Sequence, residues 1–183
     1  MDRARFEKEI IELQLKRKID NGFSIIKKCN WGYPQVIKSS LLKNNKPFPT
    51  VFWLTCPLLC KNVSRMEEKG MIKYFEEKLN RDGKMKKKFL EAHNSTQKLR
   101  NKSLPVDTPS WVKEDMSVKG IGGTKKLLTI KCLHLQLANY LGGIENPVGK
   151  LLWESIAIKN CPEDNIICEK LMRNDSKRNK RKN

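Results

Sequence analysis

Three thiols and one imidazole stand in unusual local sequence in this chain. Cys29 opens Cys29-Asn30-Trp31-Gly32-Tyr33-Pro34, Cys56 closes Trp53-Leu54-Thr55-Cys56-Pro57, and Cys132 and His134 share Lys131-Cys132-Leu133-His134. Thiolate and imidazole are the ligands that zinc takes tetrahedrally, and thiolates hold iron–sulfur clusters. Side chains this far apart in sequence can share an ion only if the fold gathers them. Cys29, Cys56, Cys132 and His134 are therefore the candidate metal set, with zinc or an iron–sulfur cluster as the cofactor. A cluster would need a fourth thiolate from Cys60 or Cys161. Residues two apart on an α-helix point roughly 200° away from each other. Cys132 and His134 can therefore share an ion only if Cys132 lies outside the regular helix, at its cap or first turn.

A second chemistry is nucleophilic. Cys56 precedes Pro57, which is favoured at the first helical position. A thiolate there would be stabilised by the helix dipole and by basic surroundings, with His93 or His134 as base. The plainer alternative is that these cysteines are small buried hydrophobes. A third chemistry is anion binding. Arg65, Arg100, Lys125, Lys126 and Lys131 could gather around the Gly120-Ile121-Gly122-Gly123 loop, whose backbone N–H groups would cradle a phosphate. That loop lacks the spacing and the Gly-Lys-Ser/Thr ending of a P-loop. Ser64-Arg65-x-Glu67 reads as a local ion pair supporting helix packing.

Composition narrows the setting. The chain has 183 residues, enough for one domain with its own core. Six cysteines in a chain that opens without an apolar leader point to a cytoplasmic protein with free or liganded thiols rather than disulfides. No apolar stretch is long enough to span a bilayer, so no membrane partner is expected. The net charge is +18, and residues 29–60 contain no acid at all. Lys84, Lys86, Lys87 and Lys88 and the basic tail would attract nucleic acid or polyphosphate. Few aromatics accompany these basic runs, which argues against base stacking.

The elements that must position these residues read as α+β. Residues 3–19 carry Phe6, Ile10 and Leu13 on one helical face, and Asp20-Asn21-Gly22 stops that helix. Phe23 to Lys28, Tyr33 to Leu42 and Thr50 to Thr55 read as strands of an antiparallel meander, with a turn at Asn44-Asn45-Lys46-Pro47. Helices follow around Leu59–Leu79, broken near Gly70, around Met85–Leu99, around Ile130–Leu141, and from Asn146-Pro147 onward. Residues 101–123 read as a long irregular connection. The organisation expected is an N-terminal helix over 1–22, one α+β domain over 23–172 and a basic disordered tail over 173–183. A small antiparallel sheet in the N-terminal third packs against a helical majority.

Several ordered motifs resemble a bacterial domain-of-unknown-function family, the one numbered 501. They are Cys29-x2-Gly32-x-Pro34, Pro47-Phe48-Pro49-Thr50 leading into Trp53-Leu54-Thr55-Cys56-Pro57, Ser64-Arg65-x-Glu67, Ala92-His93 with Arg100, Lys131-Cys132-Leu133-His134, and Asn146-Pro147-x-Gly149. The resemblance runs from about Cys29 to Gly149 and implies no assigned activity. The chain departs from the family pattern in two places. Thr124–Ile130 lacks an acid, and Thr96 stands where an aromatic often does. The sequence thus points to a Cys/His metal protein of structural or catalytic role. A nucleic-acid- or polyphosphate-binding protein is the alternative, and a cysteine-dependent enzyme the third reading.

Overall fold

The computed structural model describes residues 3–20, 22–43 and 46–180. The turn residues Asn44 and Asn45, Asn21 of the helix stop, and residues 181–183 of the basic tail lie outside the described residues. Helix α1 spans Arg3–Leu15, ahead of strands β1 (Phe23–Lys28) and β2 (Pro34–Ser39). Two short strands, β3 (Leu42–Lys43) and β4 (Lys46–Pro47), pair with each other, and β5 (Phe52–Leu54) returns to the main sheet. That sheet is antiparallel in the order β1-β2-β5, with Ile25 opposite Ile37 and Ile37 opposite Trp53. β1 half-buries every second residue, as a strand with one solvated face must.

Seven α-helices follow among the described residues: α2 (Pro57–Glu68), α3 (Met71–Arg81), α4 (Gly83–Lys102), α5 (Ser110–Ser117), α6 (Leu133–Leu141), α7 (Pro147–Ser155) and α8 (Ile167–Lys180). The α+β class read from the sequence is the observed one. The break near Gly70 separates α2 from α3 because Gly70 takes the left-handed conformation, φ 79°. α5 corrects the expectation of an irregular 101–123 segment. Val112 and Met116, four apart, form a short apolar stripe that is fully buried against the core. α8 carries helical structure through Lys180, so residues 173–180 of the expected tail lie within a helix.

The main core joins one face of the sheet to the helices, with Val36, Leu54, Leu59, Phe75, Phe89, Leu133, Leu137 and Leu152 among its buried residues. A second cluster lies on the other face, where Ile10 and Ile11 of α1 meet Ile37 and Cys168 of α8. Two motifs have architectural roles. Asn146 caps α7 by accepting from Gly149 N at 3.0 Å, and Pro147 occupies the first turn. The Asn146 amide also donates to Gln136 and Asn139, and Asn139 donates to Thr96 Oγ1 at 2.9 Å. Thr96 thereby joins a buried polar chain that an aromatic side chain could not complete. Gly149 permits the α6–α7 contact, because a Cβ there would stand 2.3 Å from the Gln136 carbonyl.

Candidate metal centre

The structure divides the sequence-derived metal set into two places. Cys132 is the N-cap of α6 in extended conformation, φ −163°, and the regular helix begins at Leu133. The geometric condition for sharing an ion is therefore met: Cys132 lies outside the helix and His134 inside it. Their third companion is Glu67, from the last turn of α2. The ligand atoms of Glu67, Cys132 and His134 all lie within 4.8 Å of one another, the only such group of three among the described residues. Cys29 and Cys56 are not in this group. They face a separate cavity at the other end of α2, together with Cys161 and Cys168. From Cys56, which caps that helix, to Glu67 is roughly 16 Å along the axis at the usual rise per residue.

Glu67 is the residue that sequence reasoning missed as a ligand. Its carboxylate does not serve a local ion pair. Oε1 accepts from Leu133 N at 2.5 Å, capping α6, and faces His134 Nδ1 at 3.1 Å. An acid placed at the start of a helix is favoured by the exposed N–H groups and the dipole. Its sequence signal was the Ser64-Arg65-x-Glu67 motif, whose acid becomes informative when α2 is laid against α6.

His134 Nε2 points the other way, 3.2 Å from the Cys60 carbonyl and 3.4 Å from Ser64 Oγ. A carbonyl only accepts, so Nε2 carries the proton and donates. Nδ1 is then the nitrogen left with a lone pair, and it faces a carboxylate. Two lone-pair bearers at this separation are compatible only with a proton or a metal ion between them. A ring nitrogen donating to a backbone carbonyl while its fellow faces the ion is the usual arrangement of a metal-bound histidine. Burial pushes the Cys132 thiol up, as does the Glu67 charge, while N–H groups of Leu135 and His134 at the helix start pull it down. All three side chains are half-buried, so an ion here would be reachable from solvent.

The residues proposed for nucleophilic chemistry are differently placed. Cys56 is buried, and burial pushes its thiol up despite N–H groups from Leu59 and Leu58. Cys60 donates to the Leu54 carbonyl at 3.5 Å, and burial pushes it up to about 12. His93 is fully buried on α4, where Nδ1 accepts from Ile121 N at 3.0 Å and the ring meets Phe89 edge-on at 4.7 Å. Its Nε2 has no partner in hydrogen-bond geometry, although the Leu127 backbone lies near enough to favour a proton there. Burial, followed by the charge of Arg100, lowers His93 to about 4. The contacts of His93 are to loop backbone and core, and neither histidine makes a hydrogen bond to Cys56.

The anion-binding set is not gathered either. Arg100 is fully buried and spends its donors on backbone carbonyls: Nε on Pro49, Nη1 on Met116 and Lys119, and Nη2 on Gly120. Three N–H groups of the glycine loop are already engaged, Gly120 on Thr124 O, Gly123 on Gly120 O and Ile121 on His93. Lys131 reaches the Gly122 carbonyl, while Arg65, Lys125 and Lys126 are exposed. Arg100 and His93 therefore organise the 116–121 segment from within, and Arg100 cannot reach an anion.

These placements account for the motifs that the sequence shares with one family. A protein family of unknown function, DUF501, matches residues 25–154 by its profile. The chain belongs to that family. The DUF501 match contains Glu67, Cys132 and His134, together with the Asn146–Gly149 cap and the His93–Arg100 pair. It ends before Cys161 and Cys168. No curated protein and no solved structure matches the chain. Among the described residues no helix is long and apolar enough to cross a membrane.

Proposed function

We propose that this DUF501 protein binds a metal ion through Glu67, Cys132 and His134, with a fourth position left to water or substrate. Zinc fits this mixed carboxylate, thiolate and imidazole set, and three protein ligands with one open position is the arrangement of catalytic rather than structural zinc. The observation that carries the reading is the opposition of His134 Nδ1 and Glu67 Oε1 at 3.1 Å, with Nε2 already engaged by the Cys60 carbonyl. Ligand atoms around tetrahedral zinc stand about 3.3 to 3.8 Å apart at ordinary bond lengths. The three groups here are within 4.8 Å of one another, a gap that small side-chain rotations close. The same geometry speaks against a Cys132–His134 catalytic dyad, since the nitrogen that would take a thiol proton already faces Glu67. Bound zinc would supply a Lewis acid and an activated water. Glu67 and His134 would orient it, and the helix start would favour the Cys132 thiolate.

Metal analysis of the intact chain tests this directly. We expect about one zinc per chain in the wild type, lost in Cys132→Ser and strongly reduced in Glu67→Gln. Unchanged zinc content in both folded variants would refute the assignment.

The outer face of α4 supports a second reading as a polyanion-binding protein. Lys84, Lys87 and Lys88 are exposed there, at spacings that put them on one side of the helix. A row of cations of this kind attracts the phosphates of a nucleic acid or polyphosphate. An RNA titration should show affinity falling steeply with salt. No binding at low salt would eliminate this reading.

A further inference from the structure

The cavity at the opposite end of α2 is lined by four thiols brought from distant parts of the chain. Cys29 comes from the β1–β2 turn, Cys56 from the cap of α2, Cys161 from the segment after α7, and Cys168 from the first turn of α8. All four are free, with Cys56 and Cys168 buried and Cys29 and Cys161 half-buried. We propose that Cys29, Cys56, Cys161 and Cys168 form a four-thiolate site for an iron–sulfur cluster, separate from the Glu67 centre.

The surrounding structure is built to hold this site. The segment after α7 has little regular structure, and it is fastened by side chains reaching its backbone. Trp31 Nε1 donates to the Cys161 carbonyl at 2.8 Å, Gln35 Nε2 to Lys159 O at 3.1 Å and Asn62 Nδ2 to Ile158 O at 3.1 Å. Asn160 Oδ1 accepts from Asn30 N at 3.0 Å. Two of the thiols have N–H donors aimed at them. Gln14 Nε2, from α1, donates to Cys168 Sγ at 3.3 Å, and Leu58 and Leu59 at the start of α2 present backbone N–H groups to Cys56. Hydrogen bonds to thiolate sulfurs are among the means by which proteins tune cluster potentials. Trp31, Tyr33 and Ile166 close the cavity with apolar surface, and Lys159 brings a positive charge to its wall.

Spacing separates the candidate metals. Tetrahedral zinc draws its four sulfurs to about 3.8 Å from one another at the usual bond length. No three of these thiols lie within 4.8 Å of each other, although all four face one cavity. A cluster distributes its cysteines over different irons and accepts the wider spread. Cys161 and Cys168 fall outside the family match at 25–154. The site is therefore proposed for this chain on its own geometry.

The test uses the full chain, purified and reconstituted with iron and sulfide without oxygen. We expect about two to four irons per chain with matching sulfide and a visible charge-transfer band. Cys161→Ser and Cys168→Ser should lower iron at least about twofold, whereas Cys60→Ser and Cys132→Ser should retain it. Alkylation mapping on the wild type serves if a variant fails to fold: reconstitution should protect Cys29, Cys56, Cys161 and Cys168 together. A colourless protein holding zinc alone would overturn the proposal. So would iron that persists in both Cys161→Ser and Cys168→Ser, or protection that omits those two thiols. Loss of metal only in Cys132→Ser would leave the Glu67 centre standing and remove this one.

Discussion

Acid should weaken this fold through His93 in a way that one substitution isolates. The imidazole is fully buried, its Nδ1 is committed to Ile121 N at 3.0 Å, and Arg100 stands beside it. Burial and then the neighbouring charge lower its folded pKa to about 4 from an ordinary 6.5. A histidine depressed in the folded state binds its proton more readily when unfolded. Its contribution is therefore complete above the unfolded value and is lost as pH falls towards the folded one. The gap amounts to about 3 kcal/mol in full, of which about 2 kcal/mol is gone by about pH 5. That is a large fraction of the stability of an ordinary domain. Urea unfolding of the wild type and of His93→Asn, each at neutral pH and near pH 5, measures it. The Asn carbonyl can accept from Ile121 N but does not titrate, so the variant starts less stable and loses less on acidification. Equal losses in the two proteins would refute the reasoning, because other acidic groups would then carry the whole effect.

Other outcomes follow from the same geometry. Arg100→Met should cost about 3 kcal/mol or more by leaving buried carbonyls without donors, and hydrogen exchange should rise first in residues 116–121. Gly149→Ala should lower stability by about 1 to 3 kcal/mol, since its Cβ meets the Gln136 carbonyl and α6 and α7 must part; an unchanged thermal midpoint would contradict this. Asn146→Ala removes both a helix cap and the centre of a buried amide chain, for a loss of about 2 kcal/mol in denaturant titration. Glu67→Ala should lower helicity at the start of α6 even in metal-free protein, by about 1 kcal/mol of capping, which separates its two roles.

Much of this architecture is legible in residue order. Phe23–Lys28 reads as a strand with the bounds that β1 has, and the Thr50–Thr55 run contains β5. Asn146-Pro147 announces a capped helix. The Cys132–His134 spacing forces a choice between helix and cap that the extended backbone at Cys132 resolves. What could not be read was contact between elements. Nothing local distinguishes Glu67 from a solvent-facing acid on α2, because its role depends on α6 arriving beside it. Likewise the spacing of Cys161 and Cys168 fits no ligand motif. Their cavity is made by a strand turn and a helix cap more than a hundred residues earlier in the chain. α5 escaped because its stripe is only two residues long and lies between Pro109 and the glycines of 120–123. Arg100 read as an anion-binding cation because the sequence does not reveal the carbonyls that converge on it.

The closure of the chain upon itself carries a consequence for biosynthesis. Gln14 touches Cys168 across 154 residues, and Cys29 shares its cavity with the same thiol. At about 5 to 20 residues per second, Cys168 is added roughly 7 to 28 s after Cys29. During that interval Cys29 and Cys56 are nascent-chain thiols without their later companions, whereas His134, the last ligand of the Glu67 centre, is added before either Cys161 or Cys168. The two centres would therefore mature in order, the mixed-ligand one before the four-thiol one. A truncated chain released before residue 161 would keep every ligand of the first and lack two of the second.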